Sequence, residues 1–238
     1  MRAIADDRGY NQCFVPTKAL EVRSYRRCRR MVAEMDLNRP HRILELGCGT
    51  GYMSSLLAMN GGSDVLAADL CKDFIEEARR HHHAPNLSFE VLDVRDPNLT
   101  ERVGRQFEYI VGNGILHHLY TDLDQVLPKL KNLLVPGGNL IFWEPNLYNP
   151  YIFLIFRIGL LRRLSRLEPQ EMAFTRKWIT GKLAQAGFSH IRVEYRDFLL
   201  PNTPDRLIQI LIRAGDILER VPLLNRCAQS LYMSARKA

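Results

Sequence analysis

Ile43-Leu44-Glu45-Leu46-Gly47-Cys48-Gly49-Thr50-Gly51 is the stretch around which the rest of this chain is organised. An apolar run of strand type ends at Glu45-Leu46, glycines alternate at 47, 49 and 51, and helical spacing begins at Tyr52 and continues to Met59. The residues therefore predict a strand, a tight turn and a helix. Glycine is required where the backbone takes positive φ or lies against a ligand with no Cβ between them, so this joint is a floor for a nucleotide-like cofactor. The dinucleotide fingerprint G-x-G-x-x-G needs its third glycine where Tyr52 stands, and Gly51 comes one residue too early.

The phrase E-L-G-C-G-T-G resembles the first motif of class I S-adenosylmethionine-dependent methyltransferases. That resemblance implies a loop, Gly47, Cys48, Gly49 and Gly51, receiving the methionine part of the cofactor, with Glu45 just before it. A carboxylate suits a cofactor that carries a sulfonium and an ammonium and has no pyrophosphate for a helix dipole to hold.

Downstream motifs follow in order. Asp64 to Ala68 reads as a second strand, and Asp69, with Leu70 beside it, lies at its carboxyl end about 20 residues past the loop, where an acidic side chain accepts ribose hydroxyls. Ser88 to Leu92 is a third strand; in the family the acidic residue after it binds the adenine amino group and the next packs on the ring, which implies Asp93 and Val94. Phe107 to Val111 is a fourth, followed by Gly112-Asn113-Gly114-Ile115-Leu116-His117-His118-Leu119, similar to the family's fourth motif, so Asn113 and the histidines are expected to face the sulfonium methyl. Asp122 to Leu134 has amphipathic helical spacing, closed by Pro136-Gly137-Gly138, and Asn139 to Trp143 is a fifth strand ending in Glu144. His117 or His118 with Glu144 resembles the His and Glu dyad of polyketide C-methyltransferase domains. The implied fold is α/β: a Rossmann-like, seven-stranded, mostly parallel sheet with helices on both faces, the final strand antiparallel, and helical lid insertions.

Length fits one large domain, 1–238. Within it, 1–40 reads as a helical cover, 41–146 as the cofactor-binding core, and 147–175 with 201–227 as substrate-side insertions. Thr17 is placed to cap a helix running to about Leu37, on which Arg23, Arg26, Arg27, Arg29 and Arg30 cluster. A charge run of this kind usually only solvates a helix face. The alternative is a cover over the cofactor or an anionic substrate.

The insertion Tyr151 to Leu167 interleaves aromatic and aliphatic residues with arginines. Its makeup is that of a lid or interfacial helix, and equally of a helix packed on the sheet. Tyr10, Tyr151, Phe153, Phe156 and Arg157 are the expected acceptor contacts. Phe174 to Gly187 reads as a helix before a sixth strand at Ile191 to Tyr195, Asp205 to Val221 as another apolar segment, and Ser230 to Ala235 as the last strand.

Lys and Arg number 33 against 26 Asp and Glu, a net charge of +7 that favours anionic partners. Five scattered cysteines with no C-x-x-C pair point to neither a disulfide framework nor a zinc knuckle, and a reducing cytoplasm is expected. The charged N-terminus lacks a signal-peptide core, and no run approaches the roughly 20 apolar residues of a membrane span. His81, His82 and His83, adjacent at a helix end, lack ligand spacing, so no metal residue is assigned.

The expected activity is methyl transfer to a small or lipid-like acceptor, free or carrier-bound and with an anionic part. O- or C-methylation is favoured, by positioning plus deprotonation by histidine, and peripheral contact with an anionic membrane follows only on the interfacial reading of the basic insertion. A nucleic-acid methyltransferase is the alternative, encouraged by the charge. It is disfavoured because Asn113-Gly114-Ile115-Leu116 lacks the prolines and aromatic ring that hold a flipped base. A nicotinamide oxidoreductase is disfavoured by Tyr52, and a non-catalytic binding protein by the polar groups His117, His118 and Glu144.

Overall fold

The computed structural model describes residues 17–36, 38–61 and 64–238. Tyr10 lies outside the described residues, as do the rest of the lead to Val15 and Leu37. Helix α1 (Lys18–Val32) starts where Thr17 Oγ1 accepts the Leu20 amide at 3.1 Å, satisfying one donor that a helix start leaves open. It ends short of the expected boundary. The amides of Glu34 and Met35 turn back onto the carbonyls of Met31 and Val32, and the Asp36 amide donates to the Tyr109 hydroxyl at 2.8 Å.

Seven strands form one sheet: β1 (Arg42–Leu46), β2 (Asp64–Asp69), β3 (Leu87–Val91), β4 (Phe107–Asn113), β5 (Leu134–Pro145), β6 (Phe188–Arg196) and β7 (Ser230–Lys237). Their order is β3-β2-β1-β4-β5-β7-β6, and β7 alone is antiparallel to its neighbours, inserted between β5 and β6. The helices after α1 are α2 (Tyr52–Gly61), α3 (Lys72–His81), α4 (Leu99–Val103), α5 (Leu123–Leu133), α6 (Pro150–Arg157), α7 (Gly159–Leu164), α8 (Arg176–Gln185) and α9 (Asp205–Leu218).

The period of two along each central strand divides the core into layers. Leu44, Leu46, Ile110, Leu140 and Phe142 face α5 and α8, meeting Leu127, Leu130 and Leu183. Ile43, Tyr109, Val111, Ile141 and Trp143 face the other way, onto Met31 of α1 and Leu57 of α2. With both faces covered, the parallel strands are continuous apolar runs, as the physics of buried parallel sheets requires.

Two expectations change. β5 begins at Leu134, five residues early, because Leu134 pairs with Phe107 and the Pro136-Gly137-Gly138 turn falls at a register shift inside the strand. The 151–167 segment is two short helices, broken where Ile158 is extended (φ −93°, ψ 115°) before Gly159. Sheet order reverses between β1 and β4, and at such a switch point the carboxyl ends of strands leave a crevice.

Candidate active site

The crevice is floored by the glycine loop. Gly47, Gly49 and Gly51 all take positive φ, at 66°, 53° and 84°. A Cβ on Gly51 would come within 3.0 Å of Ala78, His82 and Phe89, so that glycine serves packing, while a Cβ on Gly49 would meet nothing within 4 Å. Gly49 thus borders open space. Asp69 ties the loop to β2: the Gly49 amide donates to Oδ2 and the Cys71 amide to Oδ1, both at 2.9 Å.

Glu45 is 2% exposed, and its Oε2 has no hydrogen-bond partner among the described residues. Burial pushes its pKa up to about 7, with Asp69 adding and Ser54 opposing. A buried carboxylate oxygen in this position fits a cationic ligand, which would restore the charged form. Cys48 is buried beside it, and burial raises its thiol well above the ordinary value.

Asp93 and Val94 stand just past β3. Burial, which would raise Asp93, is outweighed by Arg95, whose guanidinium donates to both oxygens at 3.0 and 3.2 Å. Val94 is buried in the core layer under the crevice, and Leu70, past β2, is 43% exposed. Asn113 ends β4, and its Oδ1 accepts from Arg27 Nη1 at 2.6 Å.

Beside this floor lies the polar group on which chemistry would depend. Leu116–Leu119 forms a single 3-10 turn, and the carboxylate of Glu144, 1% exposed at the end of β5, caps it. Glu144 accepts the amides of Ile115, Leu116 and His117 at 3.0, 2.7 and 3.2 Å, and its Oε2 lies 2.7 Å from His117 Nδ1. This orders the two histidines: His117 is the one on Glu144. His118 leans on its ring at 4.2 Å between centroids.

Glu171, which the sequence did not bring to notice, takes the other ring nitrogen. Its Oε1 lies 3.2 Å from His117 Nε2, and its Oε2 is 3.5 Å from His118 Nδ1, with Glu168 Oε1 at 3.9 Å. Burial alone would depress His117, but the hydrogen bonds and charges of Glu144 and Glu171 outweigh it and raise the pKa to about 9. The same pairing holds Glu171 below the ordinary carboxylate range against its burial. The loop carrying Glu168 and Glu171 is fixed by the Met172 amide on the His117 carbonyl and by Arg162, which donates to the carbonyls of Phe156, Glu168, Pro169 and Glu171. Arg162 is therefore a loop anchor.

His117, His118 and Glu171 also offer ligand atoms within 4.8 Å of one another, spacing suited to a cation, although the described ion pairs already balance part of the charge. His81 binds the Glu77 carbonyl and His82 packs at Gly51, so these two turn to different neighbours. Of the expected acceptor contacts, Phe156 is brought edge-on to His117 at 6.3 Å. Tyr151, Phe153 and Arg157 are exposed on other faces of α6.

The arginines of α1 divide. Arg23 and Arg27 are not a solvated face: Arg23 Nε and Arg27 Nη2 meet Asp197 Oδ2 at 2.6 and 2.7 Å, and Arg27 also contacts Ser230. Burial, then Arg23, pulls Arg27 down to about 10, and against burial the two arginines hold Asp197 at about 2. Arg26 and Arg29 are exposed.

A glycine loop and acidic residues at the carboxyl ends of β1, β2 and β3, in a sheet with a final antiparallel insertion, define a Rossmann-like methyltransferase fold. Residues 44–140 match the family model described as "Methyltransferase domain". This match and the shared fold support a class I S-adenosylmethionine-dependent methyltransferase, with S-adenosylmethionine as the methyl donor. Among curated proteins it is 26% identical to a highly reducing polyketide synthase of Cordyceps militaris over 79% of this chain and 8% of that protein. It is 30% identical to the ubiquinone biosynthesis O-methyltransferase of Bordetella avium over 56% of this chain and 58% of that one. The chain thus spans less than two thirds of the length of either. A solved S-adenosylmethionine-dependent methyltransferase from Mesorhizobium loti shares the fold, with TM-score 0.61 and 22% identity over 87% of this chain and 96% of that one. No described helix is long and apolar enough to cross a membrane.

Proposed function

We propose that this chain methylates a small or lipid-like acceptor at an oxygen or carbon that must lose a proton, with His117 as the general base. The observation that carries this reading is the 2.7 Å contact between His117 Nδ1 and the buried Glu144 carboxylate, at the end of β5 and beside the crevice. When bound, S-adenosylmethionine supplies a methyl group on a sulfonium that is already a strong electrophile. Glu45, Gly47, Gly49, Asp69, Asp93, Val94 and Asn113 are the residues that would hold it.

What remains for the protein is to place the acceptor and to remove its proton. Glu144 fixes Nδ1 as the protonated nitrogen and stabilises the imidazolium that forms, which leaves Nε2 to face the acceptor. Glu171 occupies Nε2 in this structure, so the acceptor's O–H or C–H reaches that nitrogen only by displacing the Glu171 carboxylate. Phe156 supplies an apolar wall next to the ring. Membrane contact would fall to the exposed Leu154, Leu160 and Leu164 with Arg157 and Arg163.

The names of the relatives support acceptors of this kind: one is an O-methyltransferase of ubiquinone biosynthesis and another a polyketide synthase. The test is incubation with labelled S-adenosylmethionine and an extract of the host, followed by mass spectrometry of the labelled product. An O- or C-methylated amphiphile is expected, and a methylated amine or nucleic acid would contradict the reading. Loss of turnover on adding a chelator would instead favour His117, His118 and Glu171 as ligands of a divalent cation.

A further inference from the structure

We propose that the cavity between α1 and α9 binds the anionic group of an amphipathic acceptor, a phosphate or carboxylate on an apolar chain. This rests on the methyltransferase reading for the ligand's role, though not for its binding. The cavity has a volume of about 360 Å³, and its lining includes Arg23, Arg26, Arg27, Arg29, Arg30 and Arg196. Phe198, Leu199, Leu211 and Ile212 add an apolar part to the lining.

Among the described residues, guanidiniums outnumber carboxylates on the lining. The described carboxylates near the six guanidiniums are Asp197, Asp216 and Glu219 on the lining, Glu194 behind it and Glu144 beyond Arg27. Asp197 is consumed by Arg23 and Arg27, and Glu219 and Glu194 by Arg196. Arg29 pairs with no carboxylate among the described residues and lies over the Tyr25 ring at 5.9 Å. Arg30 reaches Glu194 only at 3.3 Å, and its Nε is buried without a hydrogen-bond partner. An anion with several acceptor oxygens pairs with the exposed guanidinium nitrogens of Arg29 and Arg30 and neutralises the surplus charge.

Position connects the cavity to the crevice. Trp143, next to Glu144 on β5, lines it, with Arg27 stacked on the indole at 5.0 Å. The same Arg27 donates to Asn113 at the end of β4. An apolar chain starting from an anion here therefore leads toward the carboxyl ends of β4 and β5. A neutral lipid would leave the guanidiniums unanswered, and a bare inorganic anion would leave the apolar part of the lining wet.

The experiment is isothermal titration of the full chain with octyl phosphate below its micelle concentration, with inorganic phosphate, with octanol and with anionic phospholipid vesicles. S-adenosylhomocysteine is titrated into the same preparations. Octyl phosphate is expected to bind at least tenfold more tightly than phosphate or octanol. Arg29→Glu, at an exposed position, and Arg30→Met should each weaken it at least tenfold with S-adenosylhomocysteine affinity unchanged.

The proposal is overturned if octyl phosphate does not bind, if inorganic phosphate binds equally well, if only vesicles bind, or if both variants match the parent. If octyl phosphate binds as expected but S-adenosylhomocysteine does not, the anion site stands and the methyltransferase reading fails.

Discussion

At the scale of the residue, the carboxylates decide how His117 behaves. Glu144 from β5 and Glu171 from the loop after α7 hold it, His118 shares its turn and meets Glu168, Phe156 of α6 is neutral, and Arg27 of α1 stands beyond Glu144. A base raised to about 9 is protonated at neutral pH, so activity should climb on the alkaline side. Replacing Glu171 by Gln removes one of the two charges that raise it. The acid limb of the pH–rate profile should then move to lower pH by roughly one unit or more. An unmoved limb would separate Glu171 from the proton transfer. Asp69→Ala should weaken S-adenosylhomocysteine by roughly tenfold or more, because charge-assisted hydrogen bonds are worth about 1.5–3 kcal/mol each. Since Asp69 also holds the amides of Gly49 and Cys71, thermal midpoints must accompany the titration; an unchanged dissociation constant would remove Asp69 from the site. Glu45, Asp69 and Glu144 were legible because each ends a strand that its own residues announce. Glu171 was not, since its partner is 54 positions away. Its only sequence signal was a pair of acids in an otherwise basic insertion.

At the scale of the element, the strands and most helices could be read because parallel strands covered on both faces are apolar runs punctuated by glycine and acid. The ends of α1 and β5 could not, because a Tyr109 hydroxyl and a register shift against Phe107 set them, and both are contacts across the fold. The 151–167 segment looked continuous, yet the chain breaks at Ile158 and only Ile152 and Phe156 of α6 are buried. That division makes a specific expectation. Phe156→Ser should raise the acceptor's KM with S-adenosylhomocysteine affinity near parental, whereas Phe153→Ser, at an exposed position, should not. Arg157→Glu with Arg163→Glu should weaken binding to anionic vesicles, at about 1 kcal/mol per arginine at the surface. Arg162 is unsuitable for that test, since it holds the Glu171 loop. Equal vesicle binding by variant and parent would leave these helices as packing elements alone.

At the scale of the whole molecule, the site and the stability are linked through the same proton. His117 has a folded pKa of about 9 against an ordinary value of 6.5, so its contribution is fully present below about pH 6.5 and is lost as pH rises through 9. The linkage amounts to on the order of 3 kcal/mol. The parent should therefore lose more thermal stability than His117→Gln between pH 6 and pH 10, by scanning calorimetry in matched buffers; identical slopes would show that the imidazole is not held charged. The seven-stranded, mostly parallel sheet with its antiparallel last strand was implied by the family resemblance of motifs at successive strand ends, while its order and the acceptor were not legible, the latter because the two insertions carry no such punctuation. The most direct measurement is single-turnover methyl transfer by the parent and by His117→Gln, with S-adenosylhomocysteine affinity determined on both. A rate lower by about 10²–10⁴-fold in the variant, at unchanged affinity, is the predicted result. Near-parental turnover by His117→Gln at every pH would contradict it.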